Sequence, residues 1–216
     1  MVPVKRFGWL LALAAVACTT APDLVTSTLS AAELGRVEAK SYRLGPKDAS
    51  IAFDVKPIGV PRVTGAFAEF DAVLTIVDPV SGLATLGATV NVDSLSVSSF
   101  EEMVRGPGWF DVKTYPTAVF NGQLEGWDEL GYGTVMGDLT VRDVTRPEKM
   151  DIYLTCDRVT APCPSEAIGF EGQLSISRSA YGMTRFGGFV SDTVNLTISG
   201  TIKVVAAPTT MVKAAP

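Results

Sequence analysis

The chain contains no histidine among its 216 residues. That absence removes Ser-His-Asp and Cys-His nucleophilic sites and the commonest zinc sites together. Cysteine is scarce as well, at three residues, and no pair has the C-x-x-C spacing of redox or zinc motifs. No glycine-rich loop precedes a helical pattern, so phosphate and dinucleotide cradles lack their context. Glu101 and Glu102 are adjacent, which turns only one of them toward any given pocket, while Asp138, Asp143 and Asp151 are scattered along β-patterned stretches. A paired-carboxylate hydrolase is therefore unsupported. The sequence carries no signature of an enzyme, and neither a cofactor nor a metal is expected.

Long apolar runs are also missing. The stretch at residues 7–17 (FGWLLALAAVA) follows Lys5 and Arg6. It has the length of a signal peptide and falls short of the ~20 apolar residues of a stable span. Ala15-Val16-Ala17 fits an ordinary signal-peptidase site, yet Cys18 follows at once, as in a bacterial lipoprotein box. Ala15 stands where such boxes usually carry Leu, so lipidation of Cys18 and plain secretion both remain open. An unpaired cysteine outside the cell favours lipidation. Residues 1–17 are expected to be a signal peptide, 18–39 a tether, 40–205 one domain and 206–216 a tail rich in Ala, Pro and Thr. The expected location is periplasmic or envelope-anchored.

Positive charge is short too. Without residues 1–17 the chain keeps 16 Lys and Arg against 23 Asp and Glu, a formal charge of −7. Such a surface repels nucleic acid and anionic headgroups, so membrane association is expected only through a lipid anchor or an apolar ligand. Cys156 and Cys163, in TCDRVTAPC, sit at a strand end and the start of its return. An oxidising compartment permits a disulfide between them.

What the chain has is alternation. Ile51, Phe53 and Val55 alternate with Ala52, Asp54 and Lys56; Leu86, Ala88, Val90 and Val92 do the same. Similar runs cover Leu74 and Ile76, Leu139 and Val141, Met150 to Cys156, Ile168 to Ile176, and Val194 to Val204. Turns such as Asp78-Pro79 and Gly131-Tyr132-Gly133 punctuate them. About eight strands follow, in a sheet that packs on a second sheet or closes on itself, since no long amphipathic helix is available to cover it. The longest stretch without alternation is residues 94–115. Residues 98–105 there predict a helical turn or two, stopped by Gly106-Pro107-Gly108, and would cover one end of a barrel.

Four ordered motifs carry a family resemblance. Phe110-Asp111-Val112-Lys113-Thr114-Tyr115-Pro116-Thr117-Ala118-Val119-Phe120 resembles the "FFDVxxYPTxxF" signature of the YceI-like family, with Trp109 as its first aromatic. Glu102-Met103-Val104-Arg105 is similar to the segment before it. The segment from Gly137 through Thr140-Val141-Arg142-Asp143 to Pro147 resembles the family's "GDLTIHGVTKPV", and Ser177-Arg178-Ser179-Ala180-Tyr181-Gly182-Met183 its "inRsdFGm" turn. Tyr42, Ser50, Ile51, Phe53, Val55, Lys56, Val63, Gly65 and Phe67 match the opening strands. The resemblance implies an all-β, eight-stranded antiparallel lipocalin-like barrel with a short helical or loop cover. It also implies an elongated cavity for a polyisoprenoid, an isoprenoid quinone or another long-chain lipid. Ala49 and Arg142 stand where the family often has His.

Inward apolar candidates for such a cavity are Phe53, Phe67, Leu86, Val90, Phe120 and Phe170, each of which simple core packing also explains. Trp109, Phe110 and Tyr115 lie in the cover, where they close over an apolar tail or plug the end. Arg105, Arg178 and Tyr181 are candidate polar contacts to a head group, against surface ion pairs or turn hydrogen bonds. A filled barrel serving as a structural or interaction module of the envelope is the alternative, because alternation does not separate a full barrel from a hollow one.

Overall fold

Alternation places one face of each strand inward, and the inward faces are carried by eleven strands of a single antiparallel sheet. The structure, a computed structural model, describes residues 37–59, 61–128, 131–155 and 167–204. Cys18, Cys156, Cys163, the expected signal peptide and the tail lie outside them.

The strands are β1 (Ser41–Leu44), β2 (Ala49–Pro57), β3 (Val63–Phe67), β4 (Phe70–Asp78), β5 (Leu83–Asn91), β6 (Leu95–Val97), β7 (Thr117–Trp127), β8 (Tyr132–Val141), β9 (Val144–Thr155), β10 (Ala167–Ser177) and β11 (Val190–Lys203). A short helix, α1 (Glu101–Arg105), follows β6, and one-turn 3-10 segments occupy Val92–Ser94 and Ser179–Tyr181.

The eleven pieces form eight staves, because three staves are each broken once. Between β1 and β2 the chain turns at residues 45–48, where the Asp48 and Ala49 amides both donate to the Gly45 carbonyl at 2.9 Å. β2 nevertheless pairs with β3 (Ile51 opposite Phe67) just as β1 pairs with β4 (Leu44 opposite Ala72). The second break, at residues 68–69, faces the third, at Val92–Ser94. Pairing continues across both: the Asn91 amide donates to the Glu69 carbonyl at 2.9 Å and the Ala68 amide to the Ser94 carbonyl at 3.3 Å. The Asn91 side chain caps the turn by accepting from the Asp93 amide at 3.0 Å. Read stave by stave, the circuit runs β1/β2, β3/β4, β5/β6, then β7 to β11 in order, and closes where β11 pairs with β2 (Leu196 opposite Phe53). This is the eight-stranded antiparallel barrel the family resemblance implies, with the breaks as the added detail.

Two glycines face each other across neighbouring staves, Gly122 of β7 and Gly137 of β8. The Phe120 ring occupies the room they leave: a methyl group added at Gly137 would sit 2.8 Å from Phe120 Cζ and 2.4 Å from the Asn121 carbonyl oxygen.

Candidate ligand cavity

One end of the barrel is covered by α1 and the loop after it. Phe100 precedes α1 in a left-handed conformation (φ 63°). Arg105, from the last turn of α1, donates to Glu101 Oε1 at 3.1 Å, and to the Asp93 carbonyl and Asp93 Oδ1 at 2.7 Å each. It also reaches the Leu95 carbonyl. The cover is thereby tied to the break in β5/β6. The following loop drops Phe110 against β2 and β3, its ring edge-on to Phe53 and Phe67 with centroids 6.1 and 5.9 Å away.

Beneath the cover the barrel is hollow. A larger cavity of about 310 Å³ lies under α1 and the 184–191 loop, and a smaller one of about 140 Å³ lies further down the barrel. Ile51, Val90, Leu139 and Leu196 line both, so they form a waist between two chambers of one shaft. At the cover end, Ile58, Phe100, Phe186 and Phe189 line the larger chamber yet stand exposed; Ile58 and Phe189 are each 72% accessible. Large apolar side chains gathered in that state mark a mouth. A surface groove of about 1030 Å³ shares Pro57, Ile58, Arg178 and Val190 with the chamber and leads to it from outside.

Arg178, 2% accessible, is the one buried charged side chain among the described residues. Its Nε donates to the Ser191 carbonyl (3.0 Å), one Nη to the carbonyls of Met183 and Arg185 (the latter at 3.0 Å), and the other to the Val190 carbonyl (3.1 Å). The guanidinium thus organises the 184–191 loop that borders the mouth. Burial pulls its pKa down, partly countered by Asp192. Its carbon lies 4.8 Å from the centre of the Trp109 ring, at cation–π range. Trp109 Nε1 is buried without a hydrogen-bond partner, and so is Nε1 of Trp127 beside the smaller chamber.

Tyr181 is fully buried and its hydroxyl donates to Glu148 Oε1 at 2.7 Å. Burial first, and the Glu148 carboxylate second, push its pKa well above the usual phenol range. Arg142 donates to the Gly182 carbonyl at 2.7 Å and covers the Tyr115 ring at 5.3 Å. These residues brace the 177–183 turn from behind.

Of the residues singled out in the sequence, Phe53, Phe67, Trp109, Phe110 and Arg178 line the larger chamber and Leu86, Phe120 and Phe170 the smaller, while Val90 touches both. Arg105, Tyr115 and Tyr181 line neither, because each is engaged with protein partners outside the shaft. The mouth residues Ile58, Phe100, Phe186 and Phe189 went unnoticed. The signal for two of them was legible, since TRFGGF at residues 184–189 sets two phenylalanines around glycines in a stretch without alternation. Among the described residues no cluster of His, Cys, Asp and Glu could hold a metal, and no helix is long and apolar enough to cross a membrane.

Comparison with known proteins agrees with this architecture. A YceI-like domain family model matches residues 42–202. A UPF0312 protein of Yersinia pestis is 27% identical over 169 residues, covering 76% of this chain and 87% of its own. Among solved structures, BcnA of Burkholderia cenocepacia superposes with a TM-score of 0.62 at 23% identity, over 72% of this chain and 96% of its own. A polyisoprenoid binding domain from Saccharophagus degradans, implicated in plant cell wall breakdown, superposes with a TM-score of 0.53 at 13% identity, over 77% of this chain and 99% of its own. At these identities the two structures establish the fold.

Proposed function

The chain belongs to the YceI-like family, and from that premise we propose that its barrel binds a long apolar amphiphile of the polyisoprenoid, isoprenoid-quinone or fatty-acid type, and carries or sequesters it outside the cytoplasm. The observation that carries this reading is the two-chambered shaft, walled by aliphatic and aromatic side chains and open beside Phe186 and Phe189. Each methylene moved from water into such a wall gains about 0.8 kcal/mol. Ten of them offer roughly 8 kcal/mol before the ordering of the chain is subtracted. Affinity thus comes from length, with few polar contacts required. The Saccharophagus domain, by its name a polyisoprenoid binder, supports the ligand class. In this reading residues 1–17 direct export, Cys18 carries the lipid that holds the domain at the envelope, and a Cys156–Cys163 disulfide closes the β9–β10 connection. The domain holds its ligand without transforming it.

The test is extraction of the full chain purified after expression with its own N-terminal segment, followed by mass spectrometry of the organic phase. A prenyl or fatty chain in near-stoichiometric amount is the expected result. An empty extract, together with failure of the emptied protein to take up any long-chain lipid from solution, would sink the proposal.

A further inference from the structure

The larger chamber is polar at one spot only, and that spot offers donors with no acceptor. Besides Ser99, which is exposed, its lining residues are apolar except for Arg178, and Trp109 in that lining carries one further polar group, a buried indole N–H. A guanidinium has five N–H donors and no acceptor. Four of those of Arg178 are directed at the carbonyls of Met183, Arg185, Val190 and Ser191. No carboxylate lies within ion-pair distance of it among the described residues. Asp192, whose charge reaches it from further away, is engaged with Ser177 and Ser179. Among the described residues the cation is therefore buried with carbonyl dipoles and the face of the Trp109 ring in place of a counter-ion, an arrangement that leaves electrostatic attraction unspent.

Trp109 adds an independent observation. It is 6% accessible, it lines the same chamber, and its Nε1 has no partner. A buried donor left unsatisfied is penalised, and native structures leave few of them without a reason. The guanidinium over the indole face draws electron density from the ring and so strengthens the N–H as a donor.

We propose that the bound amphiphile presents an oxygen acceptor, a carboxylate or a carbonyl, to Trp109 and Arg178 in the larger chamber and runs its chain past the waist into the smaller one. This rests on the lipid-binding reading of the shaft and adds the polarity of the head and the direction of the chain. A head that accepts hydrogen bonds is favoured whether anionic or neutral. A cationic head is rejected, because it would meet an uncompensated guanidinium.

Four probes of one chain length separate the cases: a fatty acid, its methyl ester, the parent hydrocarbon and the primary amine. The measurements are direct binding to the emptied full-length protein and the ¹⁵N–¹H resonances of its indoles. The chain has three tryptophans, Trp9, Trp109 and Trp127, and Trp109→Phe assigns the signal. Acid and ester are expected to bind at least about tenfold more tightly than the hydrocarbon, the scale of satisfying one or two buried donors, with the amine weakest. The Trp109 signal is expected to move downfield with acid and ester and to stay in place with the hydrocarbon. Trp109→Phe should bring the ester-to-hydrocarbon ratio toward one. The indole measurement is made on the unsubstituted protein and does not depend on that variant folding. Equal affinity for all four probes, or an unmoved Trp109 signal, would overturn the head-group assignment and leave the lipid-binding reading standing; binding of none would overturn both.

Discussion

At the scale of single residues, Arg178 shows how one side chain shapes a mouth. Four backbone carbonyls from the segment 183–191 that borders the mouth, those of Met183, Arg185, Val190 and Ser191, converge on one guanidinium. Replacing Arg178 with Met would keep much of the volume and strand those acceptors. Stranded buried acceptors cost ~1–3 kcal/mol each, less where water reaches them, so a loss of at least about 3 kcal/mol is expected. Urea unfolding measures it. Arg178→Lys should recover only part of the loss, because an ammonium reaches fewer acceptors and lacks the planar fork. An unchanged urea midpoint in Arg178→Met would show that the loop holds itself. In the sequence Arg178 could be picked out by its motif but not given its role, since its partners are backbone carbonyls from 183 to 191 that carry no residue identity. The inward apolar positions were easier: Phe53 and Phe170 stand in alternating runs, and alternation dictates the side of the sheet.

At the scale of elements, period-two patterning found most strands and missed β7. In β7 the inward positions are Ala118, Phe120, Gly122 and Leu124, and Gly122 interrupts the apolar rhythm; only the family signature marked its first half. The same glycine has a structural reason, shared with Gly137 opposite. Gly137→Ala is expected to destabilise the barrel by about 2 kcal/mol, within the ~1–3 kcal/mol range of an overpacked core. The added methyl meets backbone, the Asn121 carbonyl oxygen at 2.4 Å and Gly122 Cα at 2.5 Å, and backbone does not swing aside. Thermal unfolding of the variant beside Gly87→Ala provides the comparison, because the nearest atom to a methyl at Gly87 is Asn121 Oδ1 at 3.4 Å. Equal losses at the two sites would mean that the β7–β8 approach carries no special constraint. The stave breaks were hidden for a similar reason: alternation resumes after residues 45–48, 68–69 and 92–94, so each half looks like a strand of its own.

At the scale of the whole molecule the question is hollowness, which no local pattern encodes. Alternation states which side chains point inward and says nothing of how far the opposite wall stands. Eight staves enclose about the smallest barrel that can hold a ligand at all. Small inward residues set against large ones decide the outcome here, with Ala72, Ala84, Ala88 and Gly172 lining the smaller chamber among Leu, Ile and Phe. If the two chambers serve one ligand, the waist at Ile51, Val90, Leu139 and Leu196 must pass its chain. Leu139→Trp narrows that passage while leaving the mouth, Arg178 and Trp109 untouched. Chains long enough to cross the waist would then lose the burial of at least two methylenes, about 1.6 kcal/mol, or more than tenfold in affinity. Chains that end in the larger chamber have nothing to lose there. A series of fatty acids of increasing length, titrated against both proteins, should therefore give matching slopes at first. The slope of log affinity against chain length should then flatten in Leu139→Trp at the length where the unsubstituted protein keeps gaining. Parallel slopes over the whole series would assign the two chambers to separate roles, with the waist a packed layer of the core that no ligand crosses.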